Sequence, residues 1–97
     1  MRLKDKVAIV TGGGSGFGAG IVRKFVAEGA KVVVADLNEA AAQAVAEAAG
    51  AAACALRVDV AQAADARRMV EAAERQFGRL DIVVNNAGVT HLPGPLE

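Results

Sequence analysis

Glycines crowd one place in this sequence, Thr11-Gly12-Gly13-Gly14-Ser15-Gly16-Phe17-Gly18, between a short β-branched run and an amphipathic stretch. A loop of that kind has a specific chemistry. The first backbone N–H groups of a helix have no partner within it, and the helix dipole puts its positive end there. A phosphate or pyrophosphate is stabilised by both, provided that no side chain holds it away. Gly12, Gly16 and Gly18 are the positions where a Cβ on the approach side does most harm. Gly18 and Gly20 also lie where the helix comes close to the preceding strand and small residues are needed. The bland alternative is a tight strand-to-helix turn that binds nothing.

Other phosphate-binding patterns fit less well. The loop of a nucleoside triphosphatase needs a lysine and a hydroxyl residue after its second glycine. Gly13 and Gly18 have that spacing, but Ala19 and Gly20 follow. Gly14, Gly16 and Ala19 form a loose G-x-G-x-x-A match, weak by itself. Asp36 strengthens it, an acidic residue that ends the next apolar run 18 positions after Gly18. A carboxylate there accepts hydrogen bonds from both hydroxyls of an adenosine ribose. It also opposes a 2′-phosphate, since two like unit charges about 4 Å apart repel by roughly 4 kcal/mol at an effective dielectric near 20. Solvent and salt reduce this to about 1.4–3 kcal/mol, still a preference of tenfold to a hundredfold or more. No Arg or Lys follows Asp36 or lies inside the glycine loop, so NAD is favoured over NADP. A surface carboxylate that merely ends a strand is the alternative.

These residues need a scaffold, and the hydrophobic pattern supplies one. Val7-Ala8-Ile9-Val10 is a β-branched run, and Ile21, Val22, Phe25 and Val26 then recur at helical spacing up to a stop at Gly29. Val32 to Ala35 is a second run. Asn38 is a fitting N-cap for an alanine-rich helix to about Ala49, closed by Gly50. Ala53 to Val60 is a third strand candidate. A third helix runs from about Gln62 along Ala66, Met69, Val70, Ala73 and Phe77 to Gly78. Leu80 to Val84 leads into Asn85-Asn86-Ala87-Gly88, and the tail from Val89 carries two prolines. Continuously apolar strands separated by crossover helices predict a doubly wound parallel α/β sheet, ordered β-α-β-α-β-α-β.

Composition narrows the function classes. Eleven basic and eleven acidic side chains balance in 97 residues, so there is no electrostatic case for nucleic acid or an anionic membrane as partner. The single cysteine, Cys54, lies in an apolar run and is expected to be a buried structural thiol; with a single histidine, His91, it makes no zinc site. His91 is expected in a solvated loop. Arg67, Arg68, Glu71, Glu74 and Arg75 form a charged helix face with i, i+4 pairs. The apolar run at the N-terminus is too short for a signal peptide or a membrane span, so the expectation is a soluble, cytoplasmic protein.

The pairing of Thr11-Gly-x-x-x-Gly-x-Gly18 with Asn85-Asn-Ala-Gly88 resembles the short-chain dehydrogenase/reductase family, over essentially the whole chain. The resemblance implies a Rossmann-like sheet, strand order 3-2-1-4-5-6 when complete, and a dinucleotide cofactor. It further implies that Gly12, Ser15, Gly16, Phe17 and Gly18 surround the pyrophosphate and that Asp36 holds the ribose. Asp59 and Val60 would meet the adenine, the carboxylate taking the exocyclic amine and the backbone N–H a ring nitrogen. Asn86, Ala87 and Gly88 would pass beside the ribose, with the asparagines tying strand four to its neighbours. From the residues alone, Asp59 serves equally as N-cap of the third helix.

The family's proton transfer needs a Tyr, a Lys four positions later and a Ser near the substrate oxygen. This sequence has no tyrosine, and its one serine is Ser15 in the glycine loop. The expectation is therefore the N-terminal, NAD-binding portion of an alcohol- or carbonyl-converting oxidoreductase, residues 1–97, truncated after the fourth strand and inactive alone. The complete protein would take a small alcohol or carbonyl substrate and form a homo-oligomer. A stand-alone dinucleotide-binding module without catalysis, or a methyltransferase-like α/β protein binding another adenosine ligand, are the alternatives. A bare edge on strand four would leave the fragment marginally stable, prone to self-association or locally disordered near its C-terminus.

Overall fold

Unbroken runs of Val, Ile and Ala suit strands that are covered on both faces, and in the structure, a computed structural model, Val7 to Val10 and Val32 to Ala35 are buried in that way. The structure describes residues 3–14, 16–59 and 61–86. Among these, β1 (Val7–Thr11), β2 (Lys31–Asp36), β3 (Ala53–Arg57) and β4 (Ile82–Asn85) form one parallel sheet in the order β3-β2-β1-β4. Helices α1 (Gly16–Ala27), α2 (Glu39–Ala49) and α3 (Ala63–Phe77) make the crossovers, with a short 3-10 turn at Gly50–Ala52. The tail from Val89, including His91, lies outside the described residues.

The two sheet faces carry separate cores because side chains alternate along each strand. Val7, Ile9, Val33, Ala35 and Val58 pack under α3 through Met69 and Ala73. Val10, Val32 and Val34 pack under α1 and α2 through Val22, Ala42 and Ala46. The register aligns Ile9 with Val33 and Val83, and Val10 with Val34 and Val84. The largest fully buried side chains are Ile9 and valines, since Phe17 is 86% exposed and Phe25 and Phe77 are half-buried. Small, β-branched core residues let helix and sheet backbones approach closely. Cys54 is half-buried rather than buried; burial pushes its thiol up, against a hydrogen bond from Gln76 that lowers it.

Local chemistry ends the elements. The Asn38 side chain accepts from Ala41 N–H at 3.1 Å and caps α2, while the backbone N–H of Gly50 closes it. Gly78 adopts a left-handed conformation and donates to Glu74 O, which stops α3. Strand β3 is shorter than its apolar run implies. Val58 N–H still donates to Asp36 O, but the Asp59 carbonyl accepts from Gln62 N–H and its side chain from Ala61 N–H. That turn takes the backbone out of the sheet. The N-cap of α3 is Gln62, so Asp59 does not fill that role. Strand β4 begins later than expected because Asp81 makes side-chain bonds at the sheet's start. Its Oδ2 accepts from Val7 N–H at 2.9 Å, and its Oδ1 from the Arg79 guanidinium at 2.8 Å. The ion pair α3 forms among the described residues is Asp65–Arg68 at 2.8 Å, three residues apart.

Candidate functional site

Parallel strands bring their C-terminal ends to one edge of the sheet, where loops can converge on a ligand. Here that edge carries Thr11 and the glycine loop after β1, Asp36 at the end of β2, Asp59 just beyond β3 and Asn86 after β4. Hydrogen bonds join the glycine loop to Asp36 and to Asn86, and Asp59 follows Val58, whose N–H donates to Asp36 O. Thr11, buried, has its hydroxyl 3.1 Å from Asn85 Oδ1 and 3.2 Å from Val84 O. Asn86 Nδ2 donates to Gly12 O at 3.4 Å. The asparagines thus tie β4 to β1 and the loop, as the family resemblance implied.

Asp36 is engaged on both oxygens. Oδ2 accepts from the backbone N–H of Gly14 at 2.9 Å, and Oδ1 accepts from Asn38 N–H at 2.9 Å. Each carboxylate oxygen keeps a second lone pair, so the group is oriented while still able to accept from a ligand hydroxyl. A Cβ at Gly14 would stand 2.8 Å from Asp36 Oδ2 and 2.9 Å from the Ala42 backbone nitrogen. Gly14 therefore matters for the contact between loop and carboxylate, which its linear position did not reveal. The register also sets Arg57 opposite Asp36. This basic neighbour comes from another strand and escapes a search confined to the glycine loop and the residues after Asp36.

The glycines divide by cause. A Cβ at Gly18 would collide with the carbonyl of Gly12, so this glycine lets the first turn of α1 lie against the loop. Gly16 has φ +55° and open space where a Cβ would point. That is the shape a ligand above the helix N-terminus requires, and the residues present fit a pyrophosphate there. Gly20 corrects the expectation, because a Cβ there would meet nothing nearer than the Arg23 guanidinium at 3.8 Å. Ser15, Val60, Ala87 and Gly88 lie outside the described residues.

Asp59 is oriented by its surroundings. Its Oδ1 accepts from Ala61 N–H at 3.0 Å, and its own backbone N–H donates to Asp65 Oδ2 at 2.7 Å. That N–H is the main reason the Asp65 carboxyl sits below the usual range, with Arg68 the next cause. An apolar groove of about 640 Å³ runs along the outer flank of α1, between Phe17, Ile21 and Phe25. It shares Gly16 and Phe17 with the site and includes none of Asp36, Asp59 or Asn86. Among the described residues no group of three or more His, Cys, Asp or Glu is placed to hold a metal ion, and no helix is long and apolar enough to cross a membrane.

The family model for short chain dehydrogenase matches residues 6–96. The chain belongs to that family. It is 46% identical over 96 residues to the 3-beta-hydroxysteroid dehydrogenase of Comamonas testosteroni, covering 99% of this chain and 37% of that protein. With the galactitol 2-dehydrogenase of Agrobacterium fabrum it shares 46% over 89 residues, 92% of this chain and 35% of that protein. In structure it superposes on the 3-ketoacyl-(acyl-carrier-protein) reductase of Brucella melitensis, complexed with NADH, with a TM-score of 0.87 and 48% identity. That match covers 97% of this chain and 39% of the reductase. The chain thus spans little more than a third of the length of these relatives.

Proposed function

We propose that these residues are the NAD-binding portion of an oxidoreductase that interconverts an alcohol and a carbonyl compound. The Gly14–Asp36 hydrogen bond carries the reading, because it aims a ribose-binding carboxylate from the same loop that faces the pyrophosphate. In this reading Gly12, Ser15, Gly16, Phe17 and Gly18 surround the pyrophosphate, Asp36 accepts from the ribose hydroxyls, and Asp59 and Val60 meet the adenine. Asn86, Ala87 and Gly88 line the ribose. The NADH-bound relative supports a nicotinamide dinucleotide as ligand. Asp36 supports NAD over NADP, because a 2′-phosphate would face its charge. When bound, the nicotinamide supplies hydride exchange.

The groups for proton transfer are absent from this sequence, so the 97 residues alone bind without turnover. A small alcohol or carbonyl substrate, homo-oligomerisation and a soluble, cytoplasmic setting belong to the proposal for the complete protein. Titration with NADH, followed by competition, tests the binding. NAD and ADP-ribose are expected to displace NADH, and S-adenosylmethionine is not. Displacement by S-adenosylmethionine with no effect of ADP-ribose would overturn the assignment.

A further inference from the structure

We infer that Asp65, on the first turn of α3, is a positioning residue for the adenine end of the site and acts through Asp59. The inference rests on the proposed adenine contact of Asp59 and adds a residue to which neither motif points. Its basis is the 2.7 Å hydrogen bond from Asp59 N–H to Asp65 Oδ2, the shortest link that the described residues after β3 make. Asp65 Oδ1 is held at 2.8 Å by Arg68, and the Asp65 side chain is only 15% exposed. The acceptor is therefore fixed from behind before it orients Asp59.

Three bonds then set the direction of the Asp59 carboxylate. Val58 N–H donates to Asp36 O and anchors the segment to β2. Asp65 takes the next N–H, that of Asp59, and Ala61 N–H donates to Asp59 Oδ1. Among the described residues Asp59 Oδ2 has no hydrogen-bond partner, so it is the oxygen left for a ligand amine. Without Asp65 the Asp59 N–H turns to water, the segment regains backbone freedom, and the aim of Oδ2 is lost.

The test compares NAD with nicotinamide hypoxanthine dinucleotide, which presents a carbonyl where adenine has its amine. Both are titrated into each preparation of the full chain, so a partly unfolded fraction cancels in the ratio. The unaltered chain is expected to prefer NAD by about tenfold. Asp65→Ala is expected to lower that preference to about twofold or less. Asp65→Glu keeps the charge, moves the oxygen by one methylene, and is expected to lower the preference likewise. Asp65→Asn retains an acceptor for Asp59 N–H and should restore most of it. Arg68→Ala removes only the ion pair that holds Asp65 from behind and should lower the preference by less than Asp65→Ala does. The ratio of NAD to NADP affinity, set at Asp36, should not move in any of them. Full preference in both Asp65→Ala and Asp65→Glu would overturn the inference, as would an equal loss in Arg68→Ala. Absence of any preference in the unaltered chain would instead overturn the Asp59 contact, and the inference with it.

Discussion

The backbone N–H of Gly14 donates to Asp36 Oδ2 at 2.9 Å, across a gap of 22 residues. The loop after β1 and the carboxylate ending β2 are therefore one unit, held by a charge-assisted bond at the sheet edge. Asn38 N–H on the other oxygen joins the start of α2 to it. A ligand that displaces or distorts the loop thus also moves the carboxylate.

This coupling makes cofactor choice testable. Asp36→Ala is expected to weaken NADH and to shift the NADH to NADPH affinity ratio by about ten- to hundredfold toward NADPH. Arg57, the register partner of Asp36, is then the nearest cation in the sheet to meet a 2′-phosphate. Adding Arg57→Ala should return part of the shift. Fluorescence titration of both reduced dinucleotides checks this, and an unchanged ratio in Asp36→Ala would remove Asp36 from the site.

Gly18 and Gly20 make opposite forecasts two residues apart. A Cβ at Gly18 collides with the Gly12 carbonyl, so Gly18→Ala should cost about 1–3 kcal/mol of stability and abolish measurable NADH binding. Gly20→Ala meets no backbone, and alanine favours the helix by up to about 1 kcal/mol over glycine. Urea melts and NADH titrations of the two variants give the comparison. Equal destabilisation would show that the loop does not lie on α1 as described.

Much of this was legible in the sequence, for local reasons. Asn38, Gly50 and Gly78 end helices by chemistry confined to one turn, and all three do so in the structure. Short apolar runs separated by helical patterns were enough for the parallel sheet, and its order β3-β2-β1-β4 matches the first four strands that the family resemblance implied. Relationships between elements were not legible. Arg57 stands beside Asp36 only through register, Gly14 meets Asp36 only through the loop's path, and Asp65 reaches Asp59 only after β3 has left the sheet. Gly20 looked like its neighbour Gly18 because spacing does not say which side of a helix faces backbone.

Acid should weaken the fold through Asp65 and Asp81. The Asp59 N–H chiefly lowers the Asp65 carboxyl, and the Arg79 guanidinium chiefly lowers that of Asp81, with Val7 N–H second. Both are depressed in the folded state, so the unfolded chain takes up these protons first as pH falls. Their contribution is complete above the ordinary aspartate value of about 3.9 and disappears as pH drops through the lower folded values. Asp81→Asn should thus destabilise at neutral pH and converge with the unaltered chain once the pH has fallen below the depressed folded-state carboxyl of Asp81. Urea melts across that range measure it. A difference independent of pH would mean that the Asp81 charge contributes nothing.

Strand β4 ends the described sheet with an exposed valine. Val83 is 56% exposed on the face that α3 covers elsewhere, while its register partner Ile9 is buried. An exposed β-branched side chain on an edge strand favours pairing with another chain, and a lysine there opposes it by charge. The 97-residue chain is therefore expected to self-associate, with the monomer fraction rising in Val83→Lys. The substitution removes little buried surface, so its effect on stability should stay within about 0.5 kcal/mol. Sedimentation velocity over a concentration series, together with a thermal melt, separates the two effects. If the unaltered chain sediments as a monomer throughout and melts cooperatively, β4 is not an adhesive edge.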